Sequence, residues 1–254
     1  MSKVGVVNLN DGRFNYHYKG FTSIINQVVE LCLYHYEKNK NLNINVSDHR
    51  IENFFNLSKI DYSNDNFYTV SDNYLSEFLI SGHFKFPNYN AHNVVSEKDV
   101  ELRNFIFTKI FTLKNDIIFD NKNFDIGIQI RGTDKINELP EITKERVIEK
   151  INFILQQTPN AKNIFVSTDE YKYKKIIDDA YGKNLNIVYY DNITSYDGTP
   201  IHFNNDKKNI DFEVLRDVYM LSKCENLIYC YSNVSLLAIM LNNNKFKNKL
   251  LLND

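Results

Sequence analysis

In the C-terminal half of the chain, short apolar runs alternate with longer amphipathic stretches, and this rhythm predicts strands alternating with helices. Ile126 to Ile130 is a strand-length apolar run that includes Gly127. After a loop, Thr143 to Gln157 sets Val147, Ile151, Ile154 and Leu155 at helical spacing behind a Thr143 cap. Ile164 to Ser167 reads as a strand, Glu170 to Tyr181 as a helix closed by Gly182, and Leu185 to Tyr190 as a strand. A loop of roughly twenty residues carrying Gly198, Pro200 and His202 interrupts the pattern. It resumes with a helix over Phe212 to Cys224, a strand over Leu227 to Tyr231, a helix over Val234 to Leu241 and a strand over Leu250 to Leu252. Such alternation predicts a parallel sheet covered on both faces, a Rossmann-like domain.

The N-terminal half is less regular. Val4 to Leu9 reads as a strand, Thr22 to Lys38 as a helix with Ile24, Ile25, Val28, Leu31 and Tyr34 on its inner face, and Leu42 to Val46 as a second strand. Asp48 to Asn93 is polar and rich in aromatic residues, and beyond it Ser96 with Asp99 makes a variant capping box for a helix running to about Leu113. The expected organisation is a smaller α/β domain over residues 1–122 and the Rossmann-like domain over residues 123–254, with the cleft between them as the default ligand site.

Composition narrows the function. With 254 residues and 43 % hydrophobic content, the chain can bury a substantial core. The net charge is -2 and lysines are interleaved with carboxylates, so the basic stripe of a nucleic-acid binder is missing. An anionic ligand must therefore meet a local site. Val4 to Val7 is too short an apolar run for a signal-peptide core or a membrane span, and no later segment is long enough to span. Cys32, Cys224 and Cys230, odd in number and in apolar surroundings, read as reduced core thiols, which makes a cytoplasmic location the expectation.

In an open parallel sheet, ligands bind at the carboxyl ends of the strands. The polar clusters of the C-terminal half fall there: Gln129-Ile130-Arg131-Gly132-Thr133-Asp134-Lys135, then Ser167-Thr168-Asp169-Glu170, then Tyr231-Ser232-Asn233. Arg131 is one of six arginines, and its planar donor fork at a strand end suits a diphosphate. Its plainer reading is a loop-holding pair with Asp134 or Asp169; for Lys135 the plainer reading is a solvated lysine. Asp169 and Glu170, and likewise Ser232 and Asn233, read equally as helix caps. Asp217 lies inside a helix whose neighbours Val214, Val218 and Leu221 face the core, so its carboxylate needs a partner.

The chain has no GxGxxG, GxxxxGK[ST], HExxH or GxSxG, which removes the usual supports for dinucleotide oxidoreductases, P-loop enzymes, zincins and serine hydrolases. It also has no Asp-x-Asp, the pair with which many glycosyltransferases hold Mn²⁺ on a donor diphosphate. No metal is expected, and a diphosphate leaving group is left to Arg131, Lys135 and helix N-termini.

At these residues the sequence resembles the fucosyltransferase superfamily of α1,6-, nodulation-type and, more distantly, protein O-fucosyltransferases. Gln129 to Lys135 is similar to its HVRRTDK motif, and Phe165 to Glu170 to its strand ending in a Thr-Asp-Asp turn. Asp217 to Ser222 followed by Cys230 to Asn233 is similar to its aspartate-led helix, strand and Ser-rich turn. Gly20-Phe21-Thr22-Ser23 looks like its N-terminal glycine loop, in which Gly20 would let backbone amides approach the donor.

The resemblance implies a GT-B-like pair of Rossmann-like domains, GDP-fucose as donor in the C-terminal domain, a glycan acceptor and inversion at the anomeric carbon. By it, Arg131 binds the β-phosphate, Asp169 and Asp217 seat the nucleotide, Ser232 contacts phosphate, and Asp134 and Lys135 shape the donor loop. The acceptor proton needs a base, for which Glu138 is the choice, with Glu141 and Asp134 in reserve. Glu138 reads alternatively as a surface carboxylate, and His202 as a contact to guanine or acceptor. Gln129 stands for the family's histidine, Gly132 for a second arginine, Glu170 for a second aspartate and Asn233 for a second serine. These departures keep two other readings open: a transferase using GDP-mannose or another nucleotide sugar, and a catalytically silent nucleotide-sugar or glycan-binding module. The short chain suggests a trimmed acceptor domain or a homodimer that completes the cleft.

Overall fold

A computed structural model describes residues 4–6, the helical positions 21, 22, 25, 26, 28 and 29, and residues 49–57, 67–69, 97–120, 122–133, 140–190, 194–200 and 207–253. The chain divides into two compact units, Met1–Ile118 and Phe119–Asp254.

In the first unit, four short strands form two pairs: β1 (Val4–Val6), β2 (Phe55–Leu57), β3 (Phe67–Thr69) and β4 (Phe111–Leu113). β1 runs parallel to β3, and β2 antiparallel to β4 with Phe55 opposite Leu113. The helical positions bury Phe21, Ile25, Val28 and Val29, including the Ile25 and Val28 expected on the inner face. The expected strand at Leu42 to Val46 lies outside the described residues. The helix expected to reach Leu113 stops at Ile110, where the chain turns directly into β4. Aromatic packing accompanies the change: ladder pairing with β2 sets Phe111 edge-on to Phe55 at 5.5 Å, while Phe111 also stacks on Phe107 at 4.9 Å. The short helix His49–Glu52, β2 and β3 fall in the stretch whose polar composition hid them.

The second unit follows the predicted rhythm closely. β5 (Ile126–Ile130), β6 (Asn163–Thr168), β7 (Asn186–Tyr189), β8 (Asn226–Tyr229) and β9 (Asn248–Leu251) form one sheet in the order β7-β6-β5-β8-β9, every pair parallel. β5 is central and buried along its whole length, with Ile126, Ile128 and Ile130 alternating with Gly127 and Gln129. Its Ile126, Ile128 and Ile130 share a core with Val147, Ile151 and Ile154 of the Lys144–Gln157 helix and Tyr173 and Ile177 of the Tyr171–Tyr181 helix. Gly127 faces the other way. A Cβ there would lie 2.8 Å from Cys224 Sγ and 3.2 Å from Leu221 Cδ2, so its missing side chain lets the end of the Lys207–Ser222 helix press onto the sheet. That helix packs with the last one, Asn233–Asn242.

The strand order reverses at β5, where the chain has added β6 and β7 on one side and then crosses to lay β8 and β9 on the other. In doubly wound sheets this reversal opens a crevice beyond the carboxyl ends of the two flanking strands. Here those ends lead into Arg131 and Ser232.

Candidate functional site

β5 ends in the turn Arg131-Gly132-Thr133, and the Asp169 carboxylate at the end of β6 gathers all three residues. Its Oδ1 accepts from Gly132 N at 2.7 Å and its Oδ2 from Thr133 Oγ1 at 2.8 Å. Arg131 Nε lies 3.7 Å from the same Oδ2, with the arginine side chain 23 % exposed and the aspartate 8 %. Asp169 therefore does not cap the helix that follows. That helix has Glu170 in the N-cap position without a side-chain cap bond, and the carboxylate is committed to the turn across the sheet. Of the two partners read for Arg131, Asp169 is one it has.

Gly132 is required by what lies over it. A Cβ at this position would sit 2.0 Å from Glu170 Oε2 and 2.7 Å from Tyr173 Cε2, so the space into which a larger residue at 132 would project is filled by a carboxylate and a buried ring. Glu170 is held there by Lys172 at 3.2 Å, which also pairs with Glu141 at 2.9 Å and lies over the Tyr173 ring at 4.9 Å. Partial burial disfavours the Lys172 ammonium, but its bonds to Glu141 and Glu170 outweigh this and raise its pKa. The hydrogen bond and charge of Lys172 in turn lower that of Glu141. Burial pushes the Tyr173 phenol up to about 12, and it donates to Ile142 O at 3.1 Å.

Beside this turn, β5 and β8 are stitched together by side chains. Gln129 Oε1 accepts from Ser232 Oγ at 2.9 Å and from Cys230 Sγ at 3.3 Å, and Arg131 N donates to that same sulfur at 3.2 Å. Ser232 is the N-cap of the Asn233–Asn242 helix and forms a capping box with Ser235: Ser235 N donates to Ser232 Oγ at 3.1 Å, and Ser232 N donates to Ser235 Oγ at 3.2 Å. Asn233 is the first helical residue. Asn253, unmarked by any motif, accepts from Tyr231 N at 2.9 Å and fixes the approach to this helix.

Asp217 is 3 % exposed, with one carboxylate oxygen buried and without a hydrogen-bond partner. Burial pushes its pKa up to about 7 against the opposing pull of the Ser167 hydroxyl and the Arg216 and Lys174 charges. Arg216 stacks 3.3 Å above the Tyr190 ring and pairs with Glu213. Lys174, 1 % exposed, donates to Tyr190 O at 2.9 Å and to Thr194 Oγ1, and lies 4.7 Å from the centre of the Tyr189 ring. As a helical lysine it carries no sequence signal of burial.

The fold thus brings Arg131, Asp169, Glu170 and Ser232 to one edge of one sheet, with Asn233 beginning the adjacent helix and Asp217 beneath the end of β6. Gly20, Asp134, Lys135, Glu138 and His202 lie outside the described residues. Among the described residues, no group of three or more His, Cys, Asp or Glu side chains is placed to hold a metal ion, and no helix is long and apolar enough to cross a membrane. Cys224 and Cys230 are buried free thiols.

No protein-family model matches this chain, and no curated protein matches it. Solved structures do. The NodZ α1,6-fucosyltransferase soaked with GDP-fucose superposes with a TM-score of 0.54 at 12 % identity, over 95 % of this chain and 93 % of that one. NodZ from Bradyrhizobium gives 0.50 at 11 % identity over 95 % and 93 %. An Arabidopsis thaliana FUT1 variant in complex with GDP gives 0.52 at 11 % identity, over 95 % of this chain and 69 % of that one. The mixed α/β architecture with its five-stranded parallel sheet is the fold expected from the sequence.

Proposed function

We propose that this chain, which has the fold of the GT-B fucosyltransferases, is itself a glycosyltransferase that moves fucose from GDP-fucose to a glycan hydroxyl with inversion and without a metal ion. The observation that carries the reading is the Arg131–Asp169 pair at the strand-order reversal, beside the N-terminus of the Asn233–Asn242 helix. A guanidinium held through Nε and a helix N-terminus are two sources of fixed positive potential, and a diphosphate is the ligand that rewards both. The GDP and GDP-fucose complexes of the similar structures support the choice of donor.

In the proposed step the acceptor oxygen attacks the anomeric carbon as the bond from that carbon to the β-phosphate oxygen breaks. The electron pair of that bond leaves with GDP. Arg131 stabilises the charge growing on the β-phosphate, and Asp169 keeps the guanidinium from swinging away. Ser232 orders the first turn of the helix whose amides face the same ligand. Asp217, buried beneath the end of β6, supports the strand end that seats the nucleotide, and Lys135 adds a second charge to the phosphates. The acceptor proton passes to Glu138; Glu141, bound to Lys172 and with its pKa lowered, is the weaker base.

Two measurements test the proposal. In calorimetry, Arg131→Ala should weaken GDP binding by roughly 10- to 100-fold, the loss of a charge-assisted contact to phosphate. Unchanged affinity would remove the site. In a panel of GDP-fucose, GDP-mannose and UDP-sugars assayed with a chelator present, GDP-fucose should turn over fastest. Faster turnover of GDP-mannose would reassign the donor, and a dependence on added divalent metal would overturn the metal-free step.

A further inference from the structure

We propose that Tyr171 and Tyr196 form a stacking platform for one sugar ring of the acceptor glycan; the role of that glycan as acceptor rests on the transferase reading, while its binding does not. Five large apolar side chains are exposed among the described residues, and these two are the pair in ring contact, 4.8 Å between centroids at 30°. Tyr171 is 40 % exposed and Tyr196 69 %, so the pair keeps a large aromatic surface in water despite its ring contact. Paired rings that stay in water offer a ready stacking surface to a ligand.

The backbone beneath both rings is built, not incidental. Ser195 N donates to Asp169 O at 2.9 Å and Tyr171 N donates to Ser195 O at 2.9 Å, which lays the 195 segment alongside the end of β6. Asp197 Oδ1 accepts from Ser195 Oγ at 3.0 Å and Thr199 N at 2.9 Å, and these bonds lower the Asp197 pKa. Gly198, at φ +81°, supplies the left-handed residue this turn needs. At the root of the loop, the buried Lys174 ammonium ties Tyr190 O to Thr194 Oγ1. A charged side chain is thus desolvated to hold the segment that presents Tyr196.

The chemistry around the rings selects a carbohydrate. A pyranose offers a face of C–H bonds to an aromatic ring and a rim of hydroxyl donors. Here the rings are flanked in sequence by Glu170 and Asp197; Lys172 pairs with Glu170 Oε1, and Ser195 and Thr199 donate to Asp197 Oδ1, which leaves the second oxygen of each carboxylate to accept such donors. The platform is also continuous with the donor site, because Tyr171 directly follows the Glu170 whose carboxylate covers Gly132.

The test is an array of neutral oligosaccharides probed with the labelled wild-type chain, Tyr196→Ala and Tyr196→Phe, with GDP affinity measured in parallel by calorimetry. Tyr196→Ala should bind its best oligosaccharide roughly 3- to 10-fold more weakly, the usual worth of one aromatic contact, and Tyr196→Phe should bind like wild type. GDP affinity should not change in either variant. If wild type binds no oligosaccharide, if Tyr196→Ala binds as well as wild type, or if Tyr196→Ala loses GDP affinity, the platform is refuted. Tyrosine-dependent glycan binding by a chain that turns over no donor upholds the platform and refutes the transferase reading instead.

Discussion

Arg131 and Asp169 follow adjacent parallel strands, and the aspartate that lies 3.7 Å from the arginine Nε also holds the two residues after the arginine. One buried carboxylate therefore sets both the guanidinium and the turn that carries it. In the proposed donor site its contribution is one of positioning, and so is separable by mutation from the charge proposed to meet the diphosphate.

Asp169→Asn keeps the volume and removes the charge. It should cost about 1 to 3 kcal/mol of stability: the amide oxygen still accepts from Gly132 N–H and the amide nitrogen donates to the Thr133 hydroxyl, but both bonds lose their charge assistance and Arg131 loses its ion pair with residue 169. GDP affinity should fall about tenfold as Arg131 loses its pairing with Asp169. Urea unfolding and calorimetry on the same preparation check the two effects, and intact GDP affinity in a destabilised variant would rule out positioning.

Gly132→Ala should cost about 1 to 3 kcal/mol by overpacking. The added Cβ would meet Glu170 Oε2, which can swing, but also the Tyr173 ring, which is 1 % exposed and cannot. Gly132→Arg should be worse, so an added cation here should weaken GDP binding rather than strengthen it. Thermal unfolding and calorimetry read both outcomes.

The raised pKa of Asp217 gives a signed pH dependence. The unfolded carboxyl ionises near its ordinary value of 3.8, while the buried one holds its proton until about 7. Between those values the native state binds more protons, so this group makes stability fall as pH rises from about 4 to about 7, by a few kcal/mol in total. Asp217→Asn, neutral at every pH, should flatten that slope in urea unfolding followed from pH 4.5 to 8. A slope that survives the substitution assigns the effect to another group.

Ser232→Ala removes the N-cap oxygen and the hydroxyl that donates to Gln129, and should cost about 1 to 2 kcal/mol. Ser232→Thr should recover most of it, since a threonine hydroxyl caps nearly as well. Denaturant midpoints of the three proteins give the comparison.

Where one segment carried its own pattern, the sequence was enough. Three alternating isoleucines with Gly127 and Gln129 between them marked β5 to its ends, and Thr143 with its four spaced apolar partners marked the Lys144–Gln157 helix and its cap. The chemistry at the strand ends was legible because parallel strands place those ends on one edge. The N-terminal half resisted this reading: Phe111–Leu113 looks like helix until its pairing with Phe55–Leu57 is known.

By itself, then, the amino-acid order determined the alternation of elements in residues 123–254, the parallel sheet, and the presence of Arg131, Asp169 and Ser232 at the carboxyl-terminal edge of that sheet. Tertiary structure alone decided that Asp169 grips a turn 36 or 37 residues away, that Gln129 reaches Ser232 across 103, that Glu170 fills the space above Gly132, and that Lys174 is buried. The reason is physical. Periodicity is a property of neighbours along the chain and fixes which way a side chain faces, whereas its partner depends on which strand lies alongside, and that follows from the crossovers of the whole sheet.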